Sequence, residues 1–185
     1  MDTARPGANE GDEMAEDILC ASLTSPVYPL LVAVSAEGVC RVVIGGDMAG
    51  FIAGLTDRSR SAVIEAPREP SEVAVQFAGY FAGRRRRFTL PLDYRFATPF
   101  QRLVFEELLK VAPGRVVSYG ELARAIGRPR AARGVGSALA HNPLPILVPC
   151  HRVIHKDGTL AGYSAGVRIK EYLLTLEGVL LPIQW

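Results

Sequence analysis

Three observations predict an α+β fold for this chain. Apolar, β-branched runs separated by turn residues crowd its first half. Apolar residues at helical spacing, bounded by capping residues, govern its second half. The composition, 49% hydrophobic and 22% charged over 185 residues, is that of an ordinary globular chain, enough for one domain or two small ones.

Residues 1–17 carry Asp2, Glu10, Asp12, Glu13, Glu16 and Asp17 against one base, Arg5, together with Pro6, Gly7 and Gly11. Such a segment is expected to be a disordered acidic tail. It has neither a basic start nor an apolar stretch, so no secretory signal is predicted. No apolar run approaches the roughly 18 residues needed to span a bilayer. Cys20, Cys40 and Cys150 are odd in number and widely spaced, which fits neither a disulfide framework nor a zinc motif. A reducing, intracellular location and no membrane partner are expected.

An N-terminal α+β domain is expected over residues 18–93. Its predicted strands are 18–23, 28–35 and 39–44, with a hairpin turn at Ala36-Glu37-Gly38 between the last two. Asp47 is placed to cap a short helix through Leu55. Pro70-Ser71 opens a helix with Val73, Val75, Phe77, Tyr80 and Phe81 as apolar positions, stopping at Gly83. Arg84 to Arg87 reads as an exposed turn, with phosphate contact the alternative, before a further strand at 88–92. This half holds no histidine, and Cys20 and Cys40 read as core.

After a linker at Asp93-Tyr94-Arg95-Phe96, a second domain is expected over 97–185. Thr98-Pro99-Phe100-Gln101 has capping-box spacing with proline at the first helical position. Phe100, Leu103, Val104, Leu108 and Val111 continue it until Pro113-Gly114. Ser118-Tyr119-Gly120-Glu121 is a second capping box, opening a short helix that Gly127 closes. A third helix is predicted from about Arg130 to Ala140. Helix, glycine-containing turn, helix is the helix-turn-helix pattern. The third helix is built of small residues: Ala131, Ala132, Gly134, Gly136, Ser137, Ala138 and Ala140. Each helical glycine costs about 1 kcal/mol against alanine, so close approach of a partner is implied, either another helix or a nucleic-acid groove. A last helix is predicted from Val167 to Leu176, ended by Glu177-Gly178, with an apolar tail, 179–185, packing back on the body.

Net charge is only +2, but Arg115, Arg124, Arg128, Arg130 and Arg133 cluster against Glu121 alone. The cluster suits a polyanion or is a solvated face.

The chain is organised around Leu147-Val148-Pro149-Cys150-His151-Arg152-Val153-Ile154. Apolar runs on both sides read as short buried strand-like segments, and Pro149 sets a rigid turn. Cys150 is either a structural buried thiol or a nucleophile with an imidazole beside it. Neighbouring residues on a turn rarely point at each other, so as a base His151 would act through a bridging water. Glu177 is the carboxylate best placed to orient that imidazole, and Tyr119 is a phenolic donor for a leaving group. A thiolate attacking saturated carbon leaves a thioether that water does not cleave, so such an enzyme acts once.

Gly114-Arg115-Val116-Val117-Ser118-Tyr119-Gly120-Glu121-Leu122-Ala123, then Ala131-Ala132-Arg133-Gly134-Val135-Gly136, then Asn142-Pro143, then Pro149-Cys150-His151-Arg152-Val153 resemble the O6-alkylguanine-DNA alkyltransferase family in order and spacing. The resemblance covers about residues 98–178. It implies a ribonuclease H-like N-terminal domain and a winged-helix-like helix-turn-helix. It also implies suicidal repair of O6-methylguanine and, less well, O4-methylthymine in double-stranded DNA, by a monomer that needs no cofactor. By the same resemblance, Ser118, Ala131, Ala132 and Gly136 meet the minor groove and Arg133 enters the base stack. Tyr119 swings the nucleotide out and donates a proton, and Cys150 takes the alkyl group. His151 and Glu177 generate the thiolate, Asn142 braces the turn, and Tyr163 and Ser164 line the pocket. Some relatives carry zinc in the N-terminal half; lacking histidine there, this chain is expected to hold no metal. Where many relatives have two glycines after the Tyr-Ser pair, it has Ala165-Gly166, which is expected to narrow the pocket. Two rivals remain at this stage: a non-catalytic binder of alkylated DNA and a Cys–His hydrolase.

Overall fold

The computed structural model describes residues 17–59, 61–66 and 70–179; the acidic tail to residue 16 and the apolar tail beyond Val179 lie outside them. β1 (Ile18–Leu23), β2 (Leu30–Ser35) and β3 (Gly38–Ile44) form an antiparallel meander. α1 (Met48–Thr56) follows, with the Asp47 carboxylate accepting from the Gly50 N–H at 2.8 Å as N-cap. β4 (Val63–Glu65) then pairs parallel with β1, giving the order β3-β2-β1-β4. This strand was not expected. It is three residues long and none of them is buried, so it leaves little apolar signal.

Both faces of the sheet are covered, which is why β1 to β3 read as nearly continuous apolar runs. Ile18, Cys20, Leu31, Ala33 and Cys40 pack with Phe51 and Leu55 of α1. Ala21, Leu23, Leu30, Val32, Val39 and Val42 face the other way, into the main core. Val39 and Val42 share that face despite their odd spacing. A bulge explains it: Ala33 pairs with Arg41 and Val34 with Val39, leaving Cys40 as the extra residue on β3.

α2 (Ser71–Phe81) lies on the main-core face through Val73, Phe77, Tyr80 and Phe81. Val75, expected among them, is 67% exposed; the buried stripe runs through Gln76 instead, whose amide bonds the Thr89 N–H and hydroxyl. The expected strand at 88–92 does not form. Pro91 has no N–H to give a ladder, and the segment makes one bridge, between Val39 and Leu92. It still covers β3: Val39 N–H donates to Pro91 O and Asp93 N–H to Val39 O, each at 2.9 Å. Gly38, at φ 138°, is required there, since a Cβ would sit 2.3 Å from Pro91 O.

Asp93 is buried, accepting from the Ser35 hydroxyl at 2.6 Å and pairing with Arg95. α3 (Pro99–Leu108) carries the full Thr98/Gln101 capping box. Its core residues are Val104, Phe105 and Leu108, while Leu103 is 38% exposed and Val111 lies past its end. β5 (Val117–Ser118) leads into α4 (Tyr119–Ala125), capped by Ser118 and Glu121 as expected. α5 (Ala132–Ala140) starts two residues later than expected, leaving Arg130 in the turn before it. β6 (Val153–Ile154) pairs parallel with β5, Val117 opposite Val153 and Ser118 opposite Ile154. α6 (Val167–Leu176) closes the described chain. One cluster of buried residues runs from β1–β3 and α2 through α3, α4 and α5 to Cys150 and α6, so both halves contribute to the same core.

Candidate active site

The β5–β6 pairing builds the site. It sets the start of α4, with Tyr119, beside the chain that has just passed through Cys150. The approach to Cys150 is a succession of tight turns, where strand-like runs were expected. Ile146 takes φ 73°, a costly conformation for a β-branched residue, and is held there by burial. Val148 N–H returns to Leu144 O at 2.8 Å. Pro149, at φ −81° and ψ 61°, is the centre of an inverse γ-turn closed by Cys150 N–H to Val148 O at 2.8 Å. Cys150–Arg152 then form one 3-10 turn before β6. The correction has a simple origin: Pro143, Pro145 and Pro149 interrupt any ladder that the apolar residues between them favour.

Cys150 is buried at 6% exposure. Asn142 donates Nδ2 to its Sγ at 3.1 Å and to Val148 O at 3.0 Å, and accepts the Leu144 N–H on Oδ1 at 2.9 Å. The Leu144 N–H fixes which end of the amide is oxygen, so the nitrogen must face the sulfur. Burial raises the Cys150 thiol; the Asn142 amide, the Tyr163 hydroxyl and the Lys170 charge pull it back in part. A base is therefore needed to make the thiolate.

His151 is fully buried and forms no hydrogen bond with Cys150. Its Nε2 lies 3.0 Å from Glu177 Oε1, while Nδ1 is buried without a partner among the described residues. Burial lowers its pKa against the pull of Glu177, which leaves the imidazole neutral and able to accept a proton. Burial would raise the Glu177 carboxyl, but hydrogen bonds from His151 and Arg152, with the charge of Arg152, hold it well below the usual carboxylate range. Arg152 clamps it bidentately, Nε to Oε2 and a terminal nitrogen to Oε1, both at 2.8 Å, and its other terminal nitrogen donates to Val111 O at 2.7 Å.

Tyr119 is half-buried at the start of α4, its phenol raised by burial and then by Cys150; its ring packs on that of His155, centroids 5.8 Å apart. The Tyr163 hydroxyl is buried close to the Cys150 sulfur without completing a well-formed hydrogen bond among the described residues, and it is raised by burial and by Cys150. Ser164 stands exposed on the following turn and forms no side-chain hydrogen bond among the described residues. A groove of about 580 Å³ beside Tyr119 is lined by Ser118, Arg124, His155 and Lys156 among others.

Arg115, Arg124, Arg128, Arg130 and Arg133 are all exposed, and none is ion-paired among the described residues. On α5, Arg133, Ser137 and Ala140 form the exposed face, with Ala131 and Ala132 half-exposed at its start. The two glycines have internal partners: a Cβ on Gly134 would meet the Phe100 ring at 3.4 Å, and one on Gly136 the Tyr119 ring at 3.7 Å. Both are ordinary van der Waals distances, so these contacts do not themselves require glycine, and the open face of α5 is Arg133 with its small neighbours.

Three polar residues of this centre escaped the sequence reading. Arg152 was visible only as part of the cysteine motif. Lys170 sits on the buried side of α6 with Ile169, Leu173 and Leu174; burial lowers it to about 8, and its Nζ donates to Val153 O at 2.6 Å and Ala161 O at 3.2 Å. Tyr80 read as an apolar position of α2, yet its hydroxyl donates to Glu177 Oε1 at 2.8 Å. Among the described residues no cluster of three or more His, Cys, Asp or Glu is placed to hold a metal.

Residues 99–179 match the family model described as the DNA-binding domain of 6-O-methylguanine DNA methyltransferase. The chain is 47% identical over 112 residues to the methylated-DNA–protein-cysteine methyltransferase of Salmonella typhimurium, an alignment that covers 60% of this chain and 66%, just under two thirds, of that protein. It is 36% identical over 159 residues to the protein of the same name from Methanosarcina mazei, covering 84% of this chain and 94% of the relative. The fold matches the crystal structure of Mycobacterium tuberculosis OGT in complex with DNA at a TM-score of 0.74 and 37% identity, over 87% of this chain and 92% of that one. The buried Cys150-His151-Arg152 turn thus lies within a match that runs through both halves of the chain, and the chain belongs to the methylated-DNA–protein-cysteine methyltransferase family.

Proposed function

We propose that this chain repairs O6-methylguanine, and less well O4-methylthymine, in double-stranded DNA by moving the alkyl group onto Cys150 once and irreversibly. The observation that carries this is the buried Cys150 thiol, bonded by Asn142 and followed by a neutral His151 held on Glu177. A proton leaves Sγ for His151 Nδ1 through one water, and the Glu177 carboxylate stabilises the resulting imidazolium. The thiolate attacks the alkyl carbon, an S–C bond forms, and the C–O6 bond breaks with its electron pair going to the guanine oxygen. Tyr119 supplies the proton that neutralises the departing base, and the phenolate left behind regains a proton through solvent as the His151 imidazolium gives its own up. The products are S-alkylcysteine and guanine, and no step returns the thiol.

A buried thiol meets its substrate only if the base leaves the duplex. The exposed face of α5 supports minor-groove docking, with Arg133 filling the gap in the stack and Ser118, Ala131, Ala132 and Gly136 near the backbone. Tyr163 and Ser164 flank the pocket. The strand order β3-β2-β1-β4, with β4 parallel to β1, supports a ribonuclease H-like N-terminal domain, and the β5–β6 pair beside α4 and α5 supports a winged-helix-like one. The protein acts as a monomer, in a reducing intracellular compartment that keeps Cys150 free, without a cofactor.

The test is incubation with DNA carrying a labelled O6-methyl group. Label appears on Cys150, at most one per protein, and none appears on Cys150→Ala. Repeated turnover, or tight binding without transfer, overturns the reading.

A further inference from the structure

We propose that Tyr80, from the N-terminal half, is a positioning residue for the proton relay, its hydroxyl setting the Glu177 oxygen on which His151 rests. The inference rests on the alkyl-transfer reading above and extends it to the half of the chain in which no chemistry was legible.

Glu177 Oε1 receives Tyr80 Oη at 2.8 Å, an Arg152 nitrogen at 2.8 Å and His151 Nε2 at 3.0 Å; Oε2 receives Arg152 Nε at 2.8 Å. Each carboxylate oxygen offers about two lone-pair sites, so Oε1, with three donors, is fully engaged, and the Arg152 bond to Oε2 holds the other end against rotation. The Tyr80 ring has its own packing, with centroids 5.5 Å from Phe81 and 5.2 Å from Phe88. Phenylalanine would satisfy those contacts equally. The hydroxyl is what differs, and a buried hydroxyl is costly unless bonded. Its bond goes to Glu177.

The bond acts in two ways. It fixes the direction of Oε1, and so the ring orientation that aims His151 Nδ1 away from Glu177. It also draws charge from the carboxylate, which weakens the pull of Glu177 on an imidazolium and keeps His151 neutral at rest. The other titratable or charged groups here are Arg152 and Lys170 near His151, and Arg152 and Tyr172 near Tyr80. None is a second neutral donor to Oε1. Two further bonds press the N-terminal half on the same centre: Arg86 donates to Glu177 O at 3.2 Å, and Val42 N–H to Pro143 O, next to Asn142, at 2.8 Å.

The experiment compares full-length protein with Tyr80→Phe in single-turnover transfer from O6-methylguanine duplex, from pH 5 to 9, at saturating protein. The rate constant should fall about tenfold, the scale of one buried hydrogen bond. Its acid limb should move to higher pH, because a Glu177 relieved of one donor holds the imidazolium better. The His151 ring, followed by NMR without DNA, should titrate at higher pH, and DNA affinity should not change. Phe88→Leu, which loosens the same aromatic packing, should lower thermal stability with no movement of the pH profile. A Tyr80→Phe rate and profile matching the unsubstituted chain would overturn the proposal. So would a rate loss with the profile and the His151 titration unmoved. Failure of the unsubstituted chain to transfer label would instead sink the functional reading itself.

Discussion

One nitrogen of Asn142 bonds two things at once: the Cys150 sulfur at 3.1 Å and the Val148 carbonyl two residues before it at 3.0 Å. The side chain that shapes the turn therefore also donates to the thiol. Asn142→Ala should reveal both roles. Val148 O and Leu144 N–H lose partners, costing about 1–3 kcal/mol, read as a lower urea midpoint. Transfer should slow by roughly 10- to 100-fold, the worth of a hydrogen bond to a charged group. Asn142→Ala with wild-type transfer would mean that the amide serves the turn alone.

Stability should fall in acid earlier than carboxylates alone would cause. His151 is lowered by burial, so the unfolded chain binds its proton first. Its contribution is fully present above the unfolded value near 6.5 and is lost as pH falls toward the folded value. Glu177 is also lowered, so its contribution is present above about 4.5 and is lost below it. Urea midpoints should be flat just above pH 6.5, decline below it, and decline further below 4.5. His151→Asn should remove the first decline, whereas His141 and His155 are exposed. A first decline that survives the substitution would refute its assignment to His151.

Glu177→Gln keeps the shape of the side chain and removes its charge. Arg152 then lies buried without its counter-ion, and breaking a buried pair costs about 3 kcal/mol or more. For a chain of this size the melting temperature should fall on the order of 10 °C. Transfer should drop at least 100-fold, since the imidazolium loses the carboxylate that stabilises it. A melting loss under 2 °C, which about 0.5 kcal/mol would produce, would show that Arg152 finds another partner.

The parts legible in sequence share a physical character: they are local. Capping boxes at Thr98 and Ser118, the Asp47 cap and the hairpin at Gly38 each declare themselves within four residues. The cysteine motif is local too, and Glu177 follows the last helix directly. What was hidden depends on distant pairing. β4 exists because β1 offers an edge, and Cys40 bulges through its register with β2; the 88–92 segment is the exception, since Pro91, which stops it forming a strand, stands within it. Tyr80 is the clearest case. Helical spacing marks it as apolar core, and its ring is buried as such, but its hydroxyl meets a carboxylate 97 residues away.

Ala165 packs against the main core beside the turn that carries Ser164. Its methyl group should narrow the pocket for large alkyl groups. Ala165→Gly should therefore raise the rate on O6-benzylguanine by about tenfold or more and leave O6-methylguanine transfer within about twofold, since one methyl in a pocket is worth about 1–3 kcal/mol. Equal rates on the two substrates, unmoved by the substitution, would remove the argument.

Substitution of Arg133 should separate base extrusion from chemistry. It is exposed, unpaired among the described residues and forms no hydrogen bond with the buried relay, and it stands on the open face of α5. If it fills the stack when the target leaves, its loss makes extrusion harder by part of the few kcal/mol that flipping costs. Arg133→Ala should slow transfer from duplex O6-methylguanine by roughly 10- to 100-fold. The same variant should react with free O6-benzylguanine at the unsubstituted rate, because a free base needs no extrusion. Lost phosphate contact alone would instead weaken binding at every duplex, damaged or not, and would flatten the salt dependence. Saturating duplex distinguishes the two: the extrusion defect persists at saturation, and a pure binding defect disappears.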